Sequence, residues 1–277
     1  TLELRSGVLQ NTGGQHIFTV DCGTLDINGG YIVGSGRDGT PGGGIYVDNG
    51  TVNIQGGVIA ANRGSSGGGI FFQNGTLNIS GGAVTGNEVN DEHDNGGGIY
   101  LGGGGTLNMS GGYVTNNYKK KCDDCQNDVN NTHGGGGIAL ANSAAMNMTG
   151  GYVTGNYSGL AGGGIYAGFF TESTGAKFEM SGGTIASNCA ELGEGGGLRI
   201  AGGTNGVIQA TGKVLYITNN KTLTKDDWGG GGIFVQHKGN LNITNALITD
   251  NTAGGYGGGV AACPTGETLI THTDGAA

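Results

Sequence analysis

Residues 67 to 87 read GGGIFFQNGTLNISGGAVTGN, and approximate copies of this stretch run from one end of the chain to the other. The copies align on the apolar residue that follows each glycine run: Ile45, Ile70, Ile99, Ile138, Ile165, Leu198, Ile233 and Val260. Phe18 fills the place in an earlier, glycine-poor copy. Spacings run from 25 residues (Ile45 to Ile70) to 39 (Ile99 to Ile138), the range in which self-similarity signals a solenoid or array. Each copy holds three short alternating apolar runs, here GIFF, TLNI and GAVT, parted by Gly or Asn-Gly and showing no helical period. Propeller blades and leucine-rich repeats require other lengths and spacings.

The pattern therefore predicts an all-β chain: a single-stranded right-handed parallel β-helix (solenoid) with three short strands per coil and about nine to ten coils. At about 4.8 Å between stacked strands, the rod would be roughly 45 Å long. Glycine makes up 67 of 277 residues, but it falls at fixed places in each copy and only 2 prolines occur, so composition does not indicate disorder. No linker interrupts the copies, and residues 1 to 277 read as one β-helix domain. Both ends match the middle of a coil, the expectation for a segment of a longer protein.

The net charge of -9, with 12 Lys and Arg, excludes a phosphate-tracking surface, so no nucleic acid is expected. No apolar run approaches the roughly 18 residues of a membrane helix, and this segment is not expected to insert into a membrane. The reading is of a monomer.

Alternation assigns the faces. In the first strand, the aligned column and the one two residues on (Val47, Phe72, Leu101, Leu140, Ala167, Ile200, Val235) are always apolar and point inward. The column between them holds Tyr46, Phe71, Tyr100, Ala139, Tyr166, Arg199 and Phe234, and Arg199 argues that it faces solvent. In the second strand, Leu77 and Ile79 point in, while Asn53, Asn78, Asn108, Asn147 and Glu179 point out. The asparagines that end each third strand (Asn62, Asn87, Asn117, Asn156, Asn188, Asn220, Asn251) suit a positive-φ turn, with side-chain amides bonding the next coil. Between each of these and the next glycine run lies a variable segment, longest at 118 to 133. Insertions confined to one corner of a solenoid emerge on one face, often the binding face.

GGGIYV...TVNIQGGVIAAN, GGGIFF...TLNISGGAVTGN and GGGIYL...TLNMSGGYVTNN resemble the repeats of bacterial surface β-helix proteins, the group that includes the chlamydial polymorphic outer-membrane proteins and adhesin-like proteins of gut bacteria. The likeness spans nearly the whole chain. It departs from the family pattern in having Gly for the alanine of the GGA-I motif, and Val or Ile rather than Phe at the strand end. These are scaffold positions, so the resemblance implies a secreted or surface-anchored, adhesin-like region and transfers no catalytic residue.

Parallel β-helices also serve as enzymes on acidic polysaccharides, so the carboxylates are weighed. Glu88, Asp91, Glu92 and Asp94, then Asp123, Asp124 and Asp128, then Asp226 and Asp227 lie in polar loops beside lysines, the setting of solvated charge. The strand faces carry Asn, Thr and Tyr instead. A polysaccharide lyase or glycoside hydrolase is retained as an alternative, with no catalytic residue assigned. Asp91, Asp94, Asp123, Asp124 and Asp128 are calcium candidates, although without EF-hand spacing; no cofactor is otherwise expected. Cys122 and Cys125 have the spacing of half a zinc site, to which His93 and His133 could add, or of a disulfide. Cys22 and Cys263 lie on distant coils and are not expected to pair.

The expected function is that of an extracellular or cell-surface binding region that engages a host or cell-surface glycan or protein. Candidate contacts are the first-strand aromatic column (Tyr46, Phe71, Tyr100, Tyr166, Phe234) and the loop residues Lys119, Lys120, Lys121, His133 and Trp228. Stacking of those rings on one another is the competing reading of the column. A passive stalk is the other non-enzymatic alternative, and long, diverse loops argue against it.

Overall fold

The computed structural model describes residues 1–36, 38–122, 133–169, 175–225, 229–263 and 266–271. Among them are 33 strands and no helix, and every strand pairing is parallel. The strands form sheets of 17, nine and seven members, curled into a solenoid-like stack.

The nine-stranded sheet consists of the first strands, from Phe18–Val20 to Val260–Ala262, in the register the glycine runs predict: Ile45 opposite Ile70, Ile70 opposite Ile99, Ile99 opposite Ile138. The 17-stranded sheet holds the second and third strands together. They merge because Ala145–Thr154 and Lys177–Ala186 run through the corner as uninterrupted ten-residue strands.

The seven-stranded sheet goes beyond the repeat pattern. Arg63–Gly64, Glu88–Val89, Tyr118–Lys119, Tyr157–Ser158, Cys189–Ala190, Lys221–Thr222 and Thr252–Ala253 are two-residue strands just past the asparagine ladder. The coil therefore has a fourth short side where the pattern predicts three strands. Two-residue pairings leave no alternation to read, so these segments look like loop.

One aliphatic cluster fills the interior, and it includes Ile45, Val47, Ile70, Phe72, Leu77, Ile79 and Val84 with their counterparts along the stack. Apart from Leu4, Val20 and Ile243 toward the ends of the stack, the buried members are 0–1% exposed. One coil could not enclose them; stacking does. Glycine at the corner answers a packing demand: a β-carbon on Gly68 would stand 2.4 Å from the Glu88 carbonyl oxygen and 2.5 Å from that of Gly97.

The asparagine ladder is buried inside the corner. Asn87 Nδ2 donates to Asn117 Oδ1 at 3.0 Å and to the Ile59 carbonyl at 2.9 Å, while its own Oδ1 accepts from the backbone and side chain of Asn62. The same pattern passes through Asn117, Asn156, Asn188 and Asn220 to Asn251. The positive φ expected at these asparagines falls one residue earlier, at Ala61, Gly86, Asn116, Gly155, Ser187, Asn219 and Asp250. The preceding residue makes the turn, which leaves the asparagine free to insert its amide between coils.

Candidate functional site

The first-strand aromatic column is directed away from the aliphatic interior but is only partly accessible. His16, Tyr46, Phe71 and Tyr100 stack in sequence at 5.3–5.4 Å between ring centroids, half-buried. Farther along, Tyr166 is 0% and Phe234 1% exposed, so neither presents a ring to a ligand. Tyr166 packs with Ala139 and Ala161, and with Tyr100 and Phe169 at the margin. Ala161, on the segment that follows the short strand Tyr157–Ser158, is part of this cover.

Arg199, whose charge suggests a solvent-facing column, is itself fully buried. Its guanidinium lies 4.9 Å from the centre of the Tyr166 ring, and its Nε is 3.3 Å from Oε2 of Glu194, also fully buried. Cation–π attraction and a counterion offset part of the loss of water, while the guanidinium nitrogens make no hydrogen bond.

Three consecutive lysines in a polar segment read as solvated loop charge, and Lys119 is the opposite. It points inward from the fourth strand, is 0% exposed, and its Nζ donates to the carbonyl oxygens of Glu92 (2.6 Å) and Lys120 (2.8 Å). Desolvation lowers its pKa to about 8, against the opposing pull of Asp94, Asp91 and Glu92. Lys120 pairs with Glu92 at 2.9 Å and Lys121 with Glu191 at 3.0 Å. His133 stands edge-on to His93 at 5.4 Å. Trp228 lies outside the described residues.

The acidic loop is stitched into its neighbours. Asp94 accepts from Ser66 Oγ at 2.9 Å, and burial raises its pKa. Asp91 caps the backbone N–H of His93 at 3.0 Å, and Asn95 Oδ1 accepts from the N–H of Gly134 at 2.8 Å. Among the described residues, no group of three His, Cys, Asp or Glu side chains could hold a metal ion. Asp123, Asp124, Asp128 and Cys125 lie outside the described residues. Cys122 is buried and disulfide-bonded, so it is not the thiolate a zinc site would need.

Exposed aromatic surface lies instead on the third and fourth strands. Tyr113 and Tyr152, 50% and 44% exposed, stack at 5.0 Å and 11°. Tyr118 and Tyr157 stack at 5.3 Å and 9° around the corner on the same two coils, and the Tyr157 hydroxyl bonds the Glu191 carboxylate. The register extends the first pair into a column: Val8, Tyr31, Val58, Ala83, Tyr113, Tyr152, Thr184, Tyr216 and Leu247. The parallel column two residues on is Val33, Ala60, Thr85, Thr115, Thr154, Ala186, Thr218 and Thr249. Neither column contains a charged residue, in a chain with 33 of them (12 basic and 21 acidic).

Beside this stripe, on the second strand, runs an amide chain. Asn53 bonds Asp26, Asn78 bonds Asn53, Asn108 bonds Asn78 and Asn147 bonds Asn108, all at 2.7–2.9 Å. The signal for the tyrosine pairs is present in the sequence: GGYVTNNY and GGYVTGNY repeat Tyr-x4-Tyr at one register in consecutive copies. Alignment on the glycine runs puts the weight on the first strand instead.

One region of 58 residues is 38% identical to the probable autotransporter YfaL of Escherichia coli (strain K12). The match covers 21% of this chain and 4% of that protein. No protein-family model matches the chain, and no solved structure matches it.

Proposed function

We propose that this chain is a binding rod of a protein displayed at the cell surface or outside the cell, an adhesin-like region engaging a host or cell-surface glycan or protein. The partial similarity to an autotransporter supports the location. The observation that carries binding is the exposed, uncharged tyrosine stripe of the third strand, with the second tyrosine pair around its corner. Exposed apolar surface on an otherwise polar protein marks interaction sites, and tyrosine supplies large contact area at little entropic cost. The role assigns the contact to Tyr113, Tyr152, Tyr118 and Tyr157 rather than to the covered first-strand column. The chain is not proposed as an enzyme: the outward second-strand column is rich in asparagine, and its neighbouring carboxylates, Glu3 and Asp26, are engaged by Arg5, Asn28 and Asn53.

Arrays of glycans and of host surface proteins, probed with the purified chain, test this reading. At least one ligand should be retained, and serine at all four tyrosines should abolish its capture while the thermal transition stays within a few degrees. A chain that captures nothing, or a four-serine variant that binds unchanged, would leave the stalk as the better description.

A further inference from the structure

Where the second strand turns into the third, the coils are not all alike. The strands at residues 145–154 and 177–186 slip register between Met148 and Thr149 and again before Tyr152. In the next coil the second strand ends at Gln209 and the third begins at Leu215. Pairing Met180 with Ile208 but Gly183 with Leu215 places 2 residues between the partners in one coil and 6 in the other, so 4 are inserted at that corner. A bulge beside an insertion opens the surface, and a depression of about 190 Å³ lies there. Its polar lining is the Glu179 carboxylate, the Asn147 and Gln209 amides, and the hydroxyls of Thr149, Ser181 and Thr211.

The same three coils carry Tyr152, Thr184 and Tyr216 as register neighbours on the adjoining third strand. Tyr113 covers one face of the Tyr152 ring, so the other looks along the rod over Thr184. Two strand spacings separate the Tyr152 and Tyr216 positions, about 9.6 Å. A flat group above Thr184 would sit about 4.8 Å from each position, within the range of ring stacking. A slot between the Tyr152 and Tyr216 positions thus adjoins a recess whose hydroxyls, amides and one carboxylate surround an apolar floor of Met148, Met180 and Val207.

We infer that this corner is a carbohydrate subsite that takes two linked neutral pyranoses, hexose or N-acetylhexosamine, of a glycan; this deepens the binding-rod reading and rests on it. The apolar face of one ring stacks in the slot, and the hydroxyls of the neighbouring ring bond Glu179, Gln209 and the recess hydroxyls. A volume below the roughly 300–1,000 Å³ of pockets for drug-sized ligands suits a single ring. Glu179 inside the recess and the overall negative charge disfavour acidic sugars, against the opposing pull of Lys177 on the same strand face and of Lys213, whose side chain reaches Gly182.

The test is saturation-transfer NMR on the whole chain with lactose and N,N′-diacetylchitobiose, and with sialyllactose as the acidic comparison. Transfer to at least one neutral sugar is expected, with less to sialyllactose. Thr184→Phe, which fills the slot at a position where other coils carry tyrosine, should abolish the transfer. Glu179→Gln should weaken affinity roughly tenfold or more, by loss of a charge-assisted hydrogen bond. Tyr256→Ser, an exposed ring on a distant coil, should leave sugar binding unchanged. Transfer to neither neutral sugar, stronger binding of sialyllactose, or an unaffected Thr184→Phe variant would each overturn the subsite. If array ligands are still captured through Tyr118 and Tyr157 in those cases, the binding rod stands and this subsite alone fails.

Discussion

Lys119→Met is a substitution whose effect should depend on pH in a calculable way. The folded pKa of Lys119, about 8, lies below its ordinary 10.5, with burial as the largest cause. A lysine with a depressed pKa binds its proton less well in the folded state. The resulting penalty is full below pH 8, shrinks as pH rises and vanishes above 10.5. A tenfold difference in proton affinity between the folded and unfolded states is worth about 1.36 kcal/mol, so the penalty amounts to about 3 kcal/mol at pH 7 and about 1 kcal/mol at pH 9.5. Methionine removes it, but also removes the two hydrogen bonds to the carbonyls of Glu92 and Lys120. That loss is independent of pH and costs about 2–4 kcal/mol. The variant should therefore be close to the parent in stability at pH 7 and about 2 kcal/mol less stable, relative to the parent, at pH 9.5. Equilibrium urea denaturation of both proteins at the two pH values, followed by circular dichroism, measures the difference of differences. Groups common to both proteins cancel from it. A stability difference that is the same at pH 7 and pH 9.5 would show that Lys119 is not held in a desolvated site.

The two asparagine ladders should separate cleanly: Asn117→Ala removes bonds to Val84, Asn87 and Asn156 inside the corner and should cost about 3–5 kcal/mol in urea denaturation, whereas Asn78→Ala on the outer face should cost under about 1 kcal/mol. Equal losses would contradict the assignment of faces. Breaking the covered ion pair by Arg199→Met alone should destabilise by about 3–5 kcal/mol, and the double replacement of Arg199 and Glu194 by methionine should recover most of that; a double variant no better than the single one would mean that Arg199 is not held by its counterion. Gly68→Ala drives a methyl into two carbonyl oxygens and should lower the melting temperature far more than Gly86→Ala, whose β-carbon would meet open space and whose cost is confined to its φ of 59°. Similar melting temperatures for the two would refute the close-packed corner.

The sequence alone determined the repeat, the parallel all-β class, the register of the first strands and the inward columns, because these follow from periodicity. Ile45, Ile70 and Ile99 stack because each coil repeats the same apolar pattern, and the pattern is visible one residue at a time. The need for asparagine to bond between coils was legible for the same reason. What alternation cannot reveal is a second layer outside the first. It distinguishes the two faces of a strand, but a face turned away from the interior is exposed only if no other segment lies on it. Segments after the fourth strands place Ala161 against Tyr166 and Glu194 against Arg199, and Tyr166, Arg199 and Phe234 are all buried. Lys119 followed the same course: beside Lys120 and Lys121 it reads as loop charge, and only a two-residue strand pairing turns it inward. The tertiary structure also decided which tyrosines reach solvent. Tyr113 and Tyr152 remain about half exposed on the third-strand side, and the slot proposed over Thr184 depends on stacking three coils whose corners differ in length. Loop trajectory and the offset between neighbouring coils are properties of the stack, not of any one repeat.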